Sequence, residues 1–130
     1  MIKVDPVLRA AADALKDVLS VPVTVEDPPD VAECVIVEYA PSSRPGTLGC
    51  VATDLAARIR VRGVARGIGA GRRAQALSEA AAAVLIETGV TGTGWETAGV
   101  THIADSGADV SGDLANAITE IELYITASPT

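Results

Sequence analysis

The sequence predicts a single α+β domain over residues 1–130, in the order α-β-β-β-α-β-β. It is expected to have a mainly antiparallel sheet with two helices packed on one face. Three observations carry this. Apolar residues recur at helical spacing in only two places, near residues 6–21 and 72–87. Other stretches alternate apolar and polar residues with a period of two, as half-buried strands do. The strands come in runs between the helices rather than in βαβ alternation, which favours antiparallel pairing over a doubly wound sheet.

Asp5-Pro6 marks the first helix, as an N-cap acid followed by proline at the first helical position. Leu8, Ala11, Ala12, Leu15, Val18 and Leu19 form its expected apolar stripe, and Pro22 stops it. Val21 to Glu26 is a short strand, closed by the turn Asp27-Pro-Pro-Asp30. Cys34-Val-Ile-Val-Glu-Tyr39 is a continuous apolar run suited to a central strand. A loop follows over about 41–53, opening on Pro41-Ser-Ser-Arg-Pro-Gly46.

The next strand, about 54–66, contains Leu55-Ala-Ala-Arg-Ile-Arg-Val-Arg-Gly-Val-Ala-Arg66, in which apolar residues and arginines alternate. Gly67-Ile-Gly-Ala-Gly71 breaks it. The alanine-rich helix 72–87 follows, with Leu77, Ala81, Val84 and Leu85 on one face and Gly89 at its C-terminal cap. The run Ala80–Ala83 points to close helix–sheet packing. Thr91-Gly-Thr-Gly94 is a turn, Val100 to Ala104 a weak strand, and 105–116 a polar loop. The last strand, 117–126, sets Ile118, Ile121, Leu123 and Ile125 against Glu120, Glu122, Tyr124 and Thr126, with a bulge or edge start expected at Thr119-Glu120.

Composition limits the function. The 130 residues carry a net charge of −7, which argues against a free-standing nucleic-acid binder. There is no Phe, so the core is expected to be built from Val, Ile, Leu and Ala, with burial between subunits expected to supplement monomer stability. Cys34 and Cys50 are read as unbridged thiols. Met1-Ile-Lys-Val-Asp-Pro6 shows no hydrophobic leader and no stretch approaches membrane-span length, so a cytoplasmic origin and no membrane partner are expected.

No catalytic constellation, cofactor motif or metal-ligand spacing stands out. Gly67-x-Gly69-x-Gly71 lies between a strand and a helix but matches neither the phosphate-loop nor the dinucleotide pattern. His102 is the only histidine and is read as a strand side chain. Asp105, Asp109 and Asp113 recur every four residues, unlike a calcium loop. Trp95 is read as plugging the margin of the core rather than as an exposed anchor.

The charge pattern is the main functional lead. Seven of the ten cationic residues lie between positions 44 and 73, and none follows Arg73. Arg58, Arg60 and Arg62 project from one sheet face, where like charges repel unless partnered. Glu120 and Glu122 form a matching acidic row. The two rows meet within one sheet if their strands are neighbours, or across a subunit boundary if they are not.

This succession is an Asp-Pro helix, a hairpin through Val35–Tyr39, the charged strand Ala57–Arg66, a helix, and a final strand Glu120-Ile-Glu-Leu-Tyr-Ile-Thr126. It resembles the tail terminator proteins of long-tailed (siphovirus-type) bacteriophages. The resemblance implies a non-enzymatic structural protein of the virion, made in the host bacterial cytoplasm. It would form a hexameric ring that caps the tail tube protein and joins the tail to the head-tail connector or stopper, at the head–tail junction. DNA would pass through the ring without specific binding. By location, Arg58, Arg60, Arg62, Arg66, Glu120 and Glu122 are the candidate subunit-interface residues, with the loops 41–53 and 105–116 as further contacts. Another head–tail joining or tail completion protein, or a small-ligand-binding α+β domain using the Gly67–Gly71 loop, are the alternatives.

Overall fold

The computed structural model describes residues 4–26, 32–40, 44–45, 55–92 and 94–127. Its elements are α1 (Val4–Lys16), β1 (Val23–Val25), β2 (Cys34–Tyr39), β3 (Arg44–Pro45), β4 (Leu55–Arg66), α2 (Ala70–Thr88), β5 (Thr91–Gly92), β6 (Trp95–Asp105), β7 (Asp109–Ser111) and β8 (Leu114–Ala127). The strands form one sheet in the order β1-β2-β4-β8-β6-β5, with β3 paired to β4 and β7 to β8. Every pairing is antiparallel except β1 with β2. This is the expected α+β architecture, and both helices contribute to one core against the sheet.

The core follows from the two periodicities. Val7, Leu8, Ala11, Ala12 and Leu15 bury one face of α1. Odd-numbered residues of three adjacent strands face the helices: Val35 and Val37 from β2, Ala57, Ile59 and Val61 from β4, and Ile121, Leu123 and Ile125 from β8. Ala81, Ala82 and Leu85 of α2 close over them. A second cluster, Ala65, Ala70, Ala74, Ala115 and Ala117, packs where α2 begins. Small side chains there bring helix and sheet together; of the run Ala80–Ala83, Ala81 and Ala82 are buried in the main core, whereas Ala80 and Ala83 are exposed.

Several expectations change in detail. α1 ends at Lys16 rather than near Pro22, and Val18 is exposed instead of joining the apolar stripe. Asp5 lies inside the first turn, where it meets the helix dipole favourably and binds Arg9 at 2.9 Å. The predicted weak strand at 100–104 begins at Trp95, and the last strand begins at Leu114. The predicted loop between them is a hairpin: β7 folds back on β8 through Gly112, whose φ is 65°. β8 runs in unbroken register with β4, so no bulge interrupts it at Thr119 in that ladder. The register shifts fall on β6 instead, between Thr97 and Gly99 and between His102 and Ala104. Ile118 therefore lies on the face opposite the helices, and Thr119 takes the inner position. Most of the expected loop 41–53, including Cys50, lies outside the described residues.

Gly89 closes α2 as predicted, with φ at 70° and its N–H donating to Leu85 O at 2.9 Å. Trp95 is buried in the core.

Candidate functional site: the charged sheet face

The face of the sheet turned away from the helices carries the even-numbered residues of β2, β4 and β8. β4 and β8 are neighbours, and their register sets Arg58 opposite Glu122 and Arg60 opposite Glu120. β2 on the other side sets Glu38 opposite Arg60 and Ile36 opposite Arg62. The two rows thus meet within one sheet.

The contacts differ in strength. Arg58 Nε donates to Glu122 Oε2 at 2.9 Å, and Arg58 Nη1 lies 3.9 Å from Glu120. Glu122 is only 5% exposed, so this carboxylate sits in a low-dielectric position that needs a close cation. Arg62 binds Glu38 diagonally and in bidentate fashion, Nε to Oε1 at 2.6 Å and Nη2 to Oε2 at 3.2 Å. That hydrogen bond raises the Arg62 guanidinium above its ordinary range, against the opposing effect of burial. Arg60 is held more loosely, 3.8 Å from Glu120, with a 37% exposed side chain. Arg66 stands apart: it reaches Asp113 at 4.0 Å, and both are largely exposed.

Three arginines and three glutamates therefore neutralise one another on this face. A phosphate approaching Arg58, Arg60 or Arg62 would compete with carboxylates already within 4 Å. Glu38 is missing from the sequence-based interface candidates, although its position one step past Val35-Ile-Val37 puts it on the same face as the arginines.

The Gly67–Gly71 segment is closed by its own chain. Gly67 and Gly69 adopt positive φ, and Gly67 N donates to Asp113 O at 2.8 Å. Arg73 reaches back from the first turn of α2 and donates to the carbonyls of Arg66 and Ile68. Its Nε also lies 2.7 Å from Glu33 Oε1, at ion-pair distance but not aligned as a hydrogen bond. The loop thus turns carbonyl oxygens toward a guanidinium, a poor arrangement for a phosphate, which needs free N–H groups.

A polar row that sequence reasoning misses crosses from sheet to helix. His102 Nε2 lies 3.0 Å from Asp105 Oδ2. Thr119 Oγ1 donates to Asp105 Oδ1 at 2.8 Å and lies 3.3 Å from Ser78 Oγ. Ser78 and Thr119 are buried, whereas His102 and Asp105 reach the surface. The available signal is a threonine at an inner, otherwise apolar position of β8. The hydrogen bond from Thr119, then that from His102, holds the Asp105 carboxyl below its ordinary range. A depressed folded pKa adds stability above the unfolded value of roughly 3.9, which is lost as pH falls through the folded value. Thr119→Val is expected to raise the Asp105 pKa and move that acid loss to higher pH. Carboxyl titration by NMR checks this, and an unchanged Asp105 midpoint would refute it. The aspartates at 105, 109 and 113 do not act as one group: Asp105 is engaged here, and Asp113 faces Arg66.

No protein-family model matches the chain, and no curated protein matches it. Among solved structures similar to it, one aligns over 100% of both chains with a TM-score of 0.58 and 17% identity, and its name carries no functional description. At that identity the likeness is one of fold.

Proposed function

We propose that this protein is a structural subunit of a phage tail, a tail terminator that caps the tail tube as a ring and joins it to the head connector. The observation that carries the reading is the order and character of the elements. A helix with an acid in its first turn, a central antiparallel pair of β2 and β4, an arginine strand, an alanine-rich helix and a glutamate strand resemble that family over nearly the whole chain. The self-neutralised face adds support, because a structural subunit exposed to DNA gains from having its guanidinium groups occupied. The small-ligand alternative has less support, since Arg73 engages the carbonyls of its proposed loop. Another head–tail joining protein is the nearer alternative.

Arg60 is the residue best placed to serve assembly: it is the most exposed of the three face arginines and the most loosely paired. Arg60→Glu adds an acid between Glu38 and Glu120 and is expected to cost the fold only about 1 kcal/mol. On this reading the variant stays folded yet fails to cap cognate tail tubes, scored by tube length in electron micrographs and by mass after mixing. Wild-type protein that never associates with tubes or virions would sink the proposal. Normal capping by Arg60→Glu would remove this face from the interface.

A further inference from the structure

The two margins of the sheet are finished differently. On one side β1 covers Val35–Val37, Glu26 N donates to Val37 O at 3.0 Å, and the Tyr39 N–H is taken by Glu26 Oε1 at 2.7 Å. On the other side β5 pairs only with Trp95 and Glu96, and Thr97 N donates to Val90 O at 3.1 Å. Beyond Thr97, no strand among the described residues pairs with the outer side of β6. Ala98, Gly99 and Thr101 to Asp105 are exposed.

The direction of the backbone groups follows from the ladder. Ser106 N donates to Ile118 O at 2.8 Å, so even-numbered residues of β8 exchange bonds with β6. Val100 and His102 stand opposite Leu123 and Ile121, and their N–H and C=O groups therefore point to the open side. Register shifts at Ala98 and Ile103 bracket the regular segment Gly99–His102. Edge strands are ordinarily defended by lysine, proline or charge. Thr97-Ala-Gly-Val-Thr-His-Ile-Ala104 has no proline, lysine, arginine or acid, whereas Glu96 precedes it and Asp105 and Asp109 follow it.

We infer that the β6 edge is a strand-addition site for an extended segment of a partner protein, uncharged and alternately apolar in its middle and basic at its ends. The uncharged middle matches Gly99–His102, where Val100, half-buried at the margin of the core, offers apolar surface to alternate side chains. The basic ends match the flanking carboxylates. A second copy of this chain fits worse: with Val100 and His102 facing outward, an antiparallel β6–β6 pair is centred on Val100 or on Thr101, and either register gathers Glu96 and Asp105 of both copies at its two ends with no lysine or arginine between them. The inference goes beyond the proposed function, since it concerns a partner contact at the sheet margin rather than the charged face.

The test leaves the protein unaltered. Acetyl-Lys-Thr-Val-Thr-Val-Thr-Lys-amide is titrated into the labelled wild-type chain, and backbone amide shifts are followed. The expected result is saturable shifts centred on residues 98–105. A twin peptide with Glu at both ends should bind roughly tenfold more weakly, the size of a few exposed charge contacts. A twin N-methylated at alternate residues should not bind. Shifts centred elsewhere, no response to the basic peptide, or equal binding of all three would overturn the inference. Concentration-dependent broadening of β6 amides in the protein alone, without peptide response, would assign the edge to a second copy and overturn it equally. None of these readouts depends on tube capping, so failure here and failure of the tail reading are separable.

Discussion

Gly63→Val is expected to abolish folding, and Gly63→Ala to cost about 3 kcal/mol, at the upper end of overpacking effects. Gly63 lies in β4, between Val35 of β2 and Ala117 of β8, directly beneath α2. A Cβ added there would sit 2.1 Å from Ala74 O, 2.9 Å from Leu77 Cβ and 2.9 Å from Ser78 N. Two of these atoms are helix backbone, which no rotamer change can clear. α2 would have to lift from the sheet, opening the contacts of Ala65, Ala70, Ala74, Ala115 and Ala117. Glycine inside a strand ordinarily weakens it, so its presence here is explained by the close approach of the helix. Gly99→Ala is the control, because a methyl group added there would meet nothing within 4 Å. Urea unfolding would show a lowered midpoint for Gly63→Ala and little change for Gly99→Ala. A stable, cooperatively folded Gly63→Val would mean that α2 does not pack there.

The contrast between Gly63 and the arginines on either side of it shows what is legible in the sequence. Alternation in Arg58-Ile-Arg-Val-Arg62 reveals a strand with a cationic face, because a period of two depends only on local geometry. Gly89 is legible as a helix cap for the same reason. The meaning of Gly63 depends on a helix that begins at Ala70 and folds back over it, and no local pattern carries that. Whether Arg58 meets Glu122 likewise depends on the adjacency of β4 and β8, across a sequence separation of 64 residues. The sequence understates β6 because Thr97, Ala98 and Gly99 lack the apolar alternation that an edge strand with a register shift does not need. Thr119 reads as a break because a hydroxyl in an inner row looks like an error until Asp105 and Ser78 are beside it. Spacing alone puts Val18 in the α1 stripe, but the helix ends at Lys16, before that spacing applies.

Arg58→Met is expected to cost roughly 2–3 kcal/mol at neutral pH, below the 3–5 kcal/mol typical of breaking a fully buried pair because Arg58 is itself partly exposed. The loss comes from Glu122, which would keep its buried charge without its nearest guanidinium. Replacing both residues, as Arg58→Met with Glu122→Leu, should recover most of that cost, since apolar partners of similar volume need no compensation. A coupling of about 1–2 kcal/mol from the double-mutant cycle, measured on dilute monomer, would place this pair in the fold. The same cycle on Arg60 and Glu120 should give well under 1 kcal/mol and fade with added salt, as exposed pairs at 3.8 Å do. If instead Arg58 and Glu122 show no coupling in dilute protein, the pair does not stabilise the fold in solution, and the whole arginine row becomes a candidate for the subunit contact of the proposed function. With the expected result the row divides by depth. Arg58 and Arg62 hold the sheet through Glu122 and Glu38, and Arg60, between them in sequence and looser in contact, is left as the member that a neighbouring subunit would recruit under the proposed function.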